Sequence, residues 1–377
     1  RVQKPCQIFS SIFGSCKTRP KFWKGEVTSN VTHPMEGSTK RFTKGAVLGA
    51  GSFGTALSAV LAHNGVDVSV WAREEEIVEG IQRDKRNPLY LSSLTLPEGV
   101  KAEKELSSVL EGVEFVLIAV PSHAMHELSH QLSPLLKGHE IVVHVAKGLE
   151  EGTFLRMTQI LEETLRGVIP NDQLAVLSGP SHAEEVAEGK PTTVVVASSS
   201  NDVATRVQHT FTNDRFRLYV NHDVIGVEIA GAVKNIMAIA SGVSAGLGLG
   251  DNAMAALMTR GLHEITRMGL AMGAQQDTFA GLAGMGDLIV TCSSEHSRNR
   301  GVGWRIAHGE TLDEIITSMN MVAEGVKTTR AVHQWAHQND LEMPITAVVY
   351  GMLFDGLDPR AAMDSLMTRE PKNEINM

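Results

Sequence analysis

The chain has 377 residues, 42% of them hydrophobic, with a mean hydropathy of −0.04 and a net charge of −9. That length accommodates two domains with substantial cores, while the acidic balance and an aromatic content of only 5% exclude a general nucleic-acid surface. The charge is uneven, because residues 1–44 carry nine Lys/Arg against two Glu. This basic, Ser/Thr-rich opening reads as a disordered or transit-like extension over 1–43. Cys6, Cys16 and Cys292 form no CxxC pair and no even-numbered disulfide framework, so a reducing compartment is expected. No window of eighteen residues is free enough of polar interruption to predict a membrane span.

After the extension, Lys44–Leu48 reads as a short strand running into Gly49-Ala50-Gly51-Ser52-Phe53-Gly54, then a helical Thr55–His63 and a second strand at Val66–Trp71. Strand, G-x-G-x-x-G, helix and strand at this spacing are the dinucleotide-binding fingerprint in its expected context. Gly49 makes the tight turn, Gly51 lets a pyrophosphate approach the backbone, and Gly54 lets helix and strand pack. The helix N-terminus offers N–H groups to the phosphates. Further strands are predicted at Phe115–Val120, Glu140–Ala146, Leu174–Leu177 and Thr192–Ala197, with Phe216–Val220 as an edge strand. Helical stretches between them, such as Ala124–Leu136 and Phe154–Leu165, make this an α/β, Rossmann-type doubly wound sheet over 44–222. From Asp223 the pattern is helical to the end, which predicts an all-α domain over 223–377, with Gly242–Gly250 as a loop.

One residue stands out in that second half. Lys234 interrupts an apolar run from Ile225 to Ser241 that is hydrophobic nearly all round, as an internal helix is. A lysine is almost never fully buried without a partner or a task. Glu228 is a poor partner, since six residues at helical pitch place it about 120° away around the axis. Lys234 is therefore expected to face a cleft, where desolvation lowers its pKa; the competing reading is a lysine that snorkels to the surface.

Other candidates sit at strand ends, where ligands of open α/β sheets bind. Trp71-Ala72-Arg73 places a guanidinium where an NAD-specific site usually has a carboxylate, which favours a ribose 2′-phosphate, although Glu74, Glu75 or Glu76 could neutralise it. Lys147 closes the fourth clear strand. Gly179-Pro180-Ser181-His182-Ala183 follows the next one and faces the same crevice, or else is a plain turn with Ser181 as helix N-cap. In the helical half, Gly284-Met285-Gly286-Asp287 leads into a turn with Asp287 and Thr291 on one face. Ser297-Arg298-Asn299-Arg300 joins a fork-shaped guanidinium to an amide, a pair suited to a phosphate dianion or to a mere surface cluster. His123, His126 and His130 lack the carboxylate or cysteine support of a metal site, so no metal is expected. Cys292 and the methionines of 254–272 read as packing.

Taken in order, GAGSFGTAL at 49–57, AKGLE at 146–150, SGPSHAEEVA at 178–187, VEIAGAVKNIMAIASG at 227–242, GLAGMGDLIVTCSSEHSRNR at 281–300 and VAEGVKT at 322–328 resemble the NAD(P)-dependent glycerol-3-phosphate dehydrogenases, most closely their bacterial-type branch. The resemblance covers about 44–370. It implies interconversion of sn-glycerol 3-phosphate and dihydroxyacetone phosphate with NAD(P)H, the choice of NADH or NADPH being open, in supply of glycerolipid and phospholipid synthesis. By that resemblance Lys234 is the proton-transfer lysine, assisted by Lys147 and Asp287. Cofactor contacts are Gly49, Gly51, Ser52, Phe53, Gly54, Arg73, Lys147, Ala183, Arg298 and Glu324. Substrate contacts are Lys147, Gly179, Ser181, Lys234, Asn235, Asp287, Thr291, Ser297, Arg298 and Asn299. Phe53 stands where many bacterial members have Trp and keeps an apolar wall. The family further implies a homodimer. The extension is similar in position and composition to that of plastid forms, which makes the plastid stroma the expected compartment and the cytoplasm its alternative. Rival readings are a β-hydroxyacid dehydrogenase of the 6-phosphogluconate type and a cofactor-sensing protein without turnover; the Arg298-Asn299 pair speaks against the first, and intact Lys147, Lys234 and Asp287 against the second.

Overall fold

A computed structural model describes residues 40–319, 323–371 and 373–374. The transit-like segment through residue 39, and the plastid expectation resting on it, lie outside the described residues. The folded body takes in residues 41–43, which the sequence reading had placed in the extension. Phe42 is buried, its ring 4.8 Å from Phe115 and beneath the Arg206 guanidinium, and its N–H donates to Thr210 Oγ1 at 3.1 Å.

Among the described residues, eight strands form one sheet: β1 (Lys44–Leu48), β2 (Asp67–Trp71), β3 (Val100–Glu103), β4 (Phe115–Ile118), β5 (Ile141–His144), β6 (Leu174–Ser178), β7 (Thr192–Ala197) and β8 (Phe216–Asn221). Their order is β3-β2-β1-β4-β5-β6-β7-β8, and every pair is parallel except β6 with β7. The chain winds outward from β1 to β3 and then returns to β4 on the other side of β1. Between β1 and β4 their carboxyl ends therefore open a crevice. The central strands β4 and β5 are buried at every residue, as strands covered on both faces must be. Two apolar clusters cover the two faces, one built around Leu57, Ile77, Phe115 and Phe211, the other around Ile118, Leu132, Ile160 and Leu161.

β3 is absent from the sequence expectations, because Val-Lys-Ala-Glu is four residues long and alternates buried Val100 and Ala102 with polar neighbours. The antiparallel β6–β7 pair was also not anticipated. It follows from geometry: the short Ala183–Ala187 helix turns the chain back instead of carrying it across.

Among the described residues, all elements from Val224 onward are helices. The first, Val224–Gly246, is apolar all round and buried along most of its length, so it forms the centre of a third core with Ile265, Met268, Val302 and Val332 around it. By length and hydropathy alone it could cross a membrane, yet 83% of the relevant window is buried inside the protein. The predicted loop at Gly242–Gly250 is corrected here, since the helix continues through Gly242 to Gly246. The glycines serve contact between helices. A Cβ on Gly242 would strike the Arg300 carbonyl, and one on Gly303 would strike the Ile239 carbonyl, so the Arg298–Ala307 helix crosses at backbone distance.

Candidate active site

β1 ends in the glycine turn. Gly49 has φ +113° and donates its N–H to the Trp71 carbonyl at 3.1 Å, while a Cβ on Gly54 would collide with the Gly49 carbonyl. Gly51 is different: nothing lies within 4 Å of where its Cβ would be, so the backbone there is open to a ligand. It is also the N-cap of the Ser52–His63 helix and offers no side chain to the first N–H groups. An open backbone, free helical N–H groups and a positive dipole end fit a pyrophosphate. Asn87 secures the turn from behind, donating to the Ala50 carbonyl at 2.7 Å and to Thr55 Oγ1 at 2.9 Å.

From this turn a cleft of about 580 Å³ runs between the carboxyl ends of the strands and the helical half. It is lined by Gly49, Gly51, Ser52, Phe53, Arg73, Lys147, Ser181, Ala183, Lys234, Asn235, Asp287, Thr291, Ser297, Arg298, Asn299 and Glu324, residues gathered from seven separate stretches of sequence. Gly54 and Gly179 do not line it and act through the backbone. Gly179 has φ +136°, and its carbonyl faces the Lys147 ammonium at 3.5 Å and accepts from Ser181 Oγ at 3.0 Å. Ser181 is not an N-cap, since His182 occupies that position and no side chain caps the helix.

At the deep end of the cleft stands a triad of charges. Lys234 is 5% exposed, and its Nζ donates to Asp287 Oδ1 and to Thr291 Oγ1, both at 2.6 Å. Lys147 Nζ, arriving from the loop after β5, donates to Asp287 Oδ2 at 2.7 Å. One carboxylate thus holds two ammonium groups side by side. A five-residue π-helical turn at Leu282–Gly286 precedes Asp287, which begins the Asp287–Ser293 helix that also carries Thr291. Burial lowers the pKa of Lys234 to about 8, with Asp287 opposing the shift and Lys147 adding to it. Burial alone would raise the pKa of Asp287, but Lys147 and then Lys234 outweigh it and hold the carboxyl below its usual range. The triad accordingly contains an amine that can change protonation near neutral pH, kept in place by an anion that does not.

Glu228, dismissed on helical phase as the partner of Lys234, pairs elsewhere, with Arg156 and His144. Burial raises the pKa of Glu324, opposed by the Ser122 N–H and then by Arg298, which is exposed at the first position of its helix. Glu324 Oε1 accepts the Ser122 N–H at 2.8 Å. Asn299 is buried and accepts the Gly325 N–H at 3.0 Å through Oδ1, which fixes its side chain at the cleft wall. Ser297 Oγ is committed to capping the helix, accepting from the Arg300 N–H at 3.3 Å, so its hydroxyl has less to offer a ligand than the sequence reading expected. Arg73 forms no ion pair among the described residues, whereas Glu75 is taken by Lys104 at 2.7 Å. Cys292 is buried, with its thiol pushed up to about 11 by burial, and behaves as packing.

His123 and His182 line the cleft within strand-end turns that the sequence places at the crevice, without a role of their own, while Tyr90 and His296 line it unanticipated. His182 sat in plain view within the quoted SGPSHAEEVA block; Tyr90 carries no local signal and is brought in by the fold alone. Among the described residues no group of His, Cys, Asp and Glu could hold a metal ion.

The two halves of the fold match family models described as NAD-dependent glycerol-3-phosphate dehydrogenase N-terminus, over residues 44–204, and C-terminus, over 223–364. A Clostridium perfringens protein named glycerol-3-phosphate dehydrogenase (NAD(P)+) is 47% identical over 332 residues, spanning 88% of this chain and 99% of that one. A Listeria monocytogenes protein of the same name is 49% identical over 331 residues, spanning 88% and 98%. The crystal structure of glycerol-3-phosphate dehydrogenase from Coxiella burnetii superposes with a TM-score of 0.82 at 42% identity, covering 87% of this chain and 99% of that one. The glycine turn and the buried lysine thus sit in a fold shared from end to end with such enzymes, and the chain belongs to the NAD(P)-dependent glycerol-3-phosphate dehydrogenase family.

Proposed function

We propose that this enzyme interconverts dihydroxyacetone phosphate and sn-glycerol 3-phosphate with Lys234 as the acid/base group, and that its product serves glycerolipid synthesis. NAD(P)H, when bound along the glycine turn, supplies hydride to the ketone carbon of the substrate. Lys234 gives a proton to the ketone oxygen as negative charge grows there and takes it back in the oxidative direction. Lys147 adds a second positive charge beside that oxygen, stabilising the alkoxide while favouring loss of the Lys234 proton. Asp287 holds both ammonium groups, and Thr291 restrains the Lys234 chain. Arg298 and Asn299 grip the phosphate, and that remote binding orients the reacting carbon.

The observation that carries this reading is the sharing of Asp287 by Lys147 and Lys234 inside the cleft, at 2.7 and 2.6 Å. An absorbance assay with dihydroxyacetone phosphate, run separately with NADH and NADPH, tests it: oxidation of either cofactor is the expected result, and none with either would end the proposal. A homodimer follows from the resemblance and predicts twice the chain mass of 40.7 kDa in sedimentation equilibrium. Bacterial relatives favour the cytoplasmic alternative for its compartment.

A further inference from the structure

His144 closes β5 three residues before Lys147, and Glu228 lies six residues before Lys234 on the Val224–Gly246 helix. Both are buried, at 0% and 6% exposure. Glu228 Oε1 lies 3.2 Å from His144 Nε2 and accepts the Thr158 N–H at 2.7 Å, while Oε2 is ion-paired with Arg156. His144 Nε2 also lies 3.2 Å from Thr158 Oγ1. A single carboxylate therefore ties together the end of β5, the start of the Met157–Thr164 helix and the helix that carries Lys234. One turn further along, a Cβ on Gly231 would come within 3.0 Å of Ser178 Oγ and 3.5 Å of Lys147 Cγ. The Lys147 stem thus lies against the same helix, between Glu228 and Lys234 in sequence.

None of His144, Arg156, Thr158 and Glu228 lines the cleft itself, which His144 adjoins through Val145. Burial alone would raise the pKa of Glu228, but His144, Arg156 and the Thr158 N–H hold it below the usual range, so the tie is ionic. A buried ionic tie is a poor source of stability compared with apolar packing, and its best-attested use is to fix register.

We infer that Glu228 is a positioning residue: through His144, Arg156 and Thr158 it fixes the helix carrying Lys234 against the strand end carrying Lys147, and so sets how the two amines share Asp287. This rests on the reading of Lys234 as the acid/base group. The groups that face Lys234 are Asp287 and Thr291 from one helix, Lys147 from the loop after β5 and His182 from the turn after β6.

The test is the pH profile of kcat for two variants, E228D and the charge-free pair E228Q/R156Q, beside Lys234→Ala, with KM for NADPH and far-UV circular dichroism measured on each. E228D keeps the charge and shortens its reach, so it stays informative if the double variant fails to fold. In folded variants kcat should fall about tenfold to a hundredfold, the order expected when a reacting group is displaced by ~1 Å. The alkaline limb of the reductive profile should move by about half a pH unit as the lysine pair separates or closes, with KM for NADPH holding within about twofold because none of the tied residues belongs to the glycine turn. Folded variants with the wild-type limb and kcat, whatever their melting temperature, would reduce Glu228 to a structural tie and overturn the inference. Turnover surviving in Lys234→Ala would overturn the underlying reading instead.

Discussion

The chemistry of Lys234 depends on how hard its surroundings press on an ammonium group. Its pKa, lowered to about 8 by burial with help from Lys147, suits the proposed role of a proton donor that is still charged at neutral pH and exhausted above it. In the reductive direction kcat should therefore fall as pH rises through about 8, and in the oxidative direction, where the free amine is needed, it should rise over the same interval. Lys147→Met removes one of the lowering influences, so the limb should move to higher pH while the maximum rate drops; a limb that stays put would deny the coupling. Lys234→Ala should cost about 10²–10⁴ in kcat, the usual worth of a general acid, with cofactor binding preserved in a fluorescence titration. Arg73 is exposed, lines the cleft and is unpaired among the described residues, so Arg73→Asp should invert the ratio of kcat/KM values for NADPH and NADH. Equal use of the two cofactors afterwards would dismiss that contact. The lysine was legible in the sequence because a charge in an all-round apolar helix has to be accounted for. Its pairing with Asp287 is implied only by the family resemblance, because the helical face that Asp287 shares with Thr291 does not by itself point to Lys234. What could not be read was the tie through Glu228, whose partners lie 72 and 84 residues away and announce themselves by no spacing.

At the scale of elements, long patterned segments were readable and short or contact-driven ones were not. β1 and the Val224–Gly246 helix are largely apolar runs with clear boundary signals, the glycine turn after the first and Asp223 before the second. β3 is too short to show a period, and the glycines at 242 and 246 signal a loop locally while the crossing with the Arg298–Ala307 helix overrides that signal. The override predicts that Gly303→Ala, harmless in an isolated helix, should cost the protein about 1–3 kcal/mol through overpacking against the Ile239 carbonyl, measured by denaturant unfolding. A second element-level device is Glu264, 3% exposed on the Gly250–Ala271 helix. It accepts the Ile345 and Thr346 N–H groups and so caps the Pro344–Phe354 helix from a neighbouring one. Burial raises its pKa from 4.5 to about 7. The folded state thus favours the protonated carboxyl; the favourable contribution is complete below the unfolded pKa and is lost as pH climbs through the folded one. Unfolding free energy should decline by about 3 kcal/mol from this group between pH 4.5 and 7, at ~1.4 kcal/mol per unit. Glu264→Gln should flatten that part of the stability profile, and an unchanged slope would place the pH dependence elsewhere.

For the whole molecule, the main apolar cores of the sheet and of the helical half are separate clusters, joined by a small apolar seam of Val176, Val195 and Ala197 against Val227 and Ala283 and by the polar groups of the cleft and the Glu228 tie. Composition and periodicity predicted the two halves, but their mutual placement is set by pairs such as Lys147 with Asp287, 140 residues apart, which no local pattern encodes. Since each half supplies part of the cleft, a ligand that spans it stabilises only the assembled form. Saturation at 100 times the dissociation constant should then add about 2.7 kcal/mol to stability, visible as a raised melting temperature in calorimetry. The increment should discriminate between ligands. On the proposed assignment NADPH alone would bear on the glycine turn and Arg73, whereas NADPH with glycerol 3-phosphate would also engage Arg298 and Asn299, so the second mixture should raise the transition further than NADPH does. In Arg298→Ala the NADPH increment should persist and the extra step from glycerol 3-phosphate should shrink, if the guanidinium serves the phosphate grip as proposed. An equal loss of both increments would mean that Arg298 serves chiefly the cofactor, and the division of labour across the cleft would have to be redrawn.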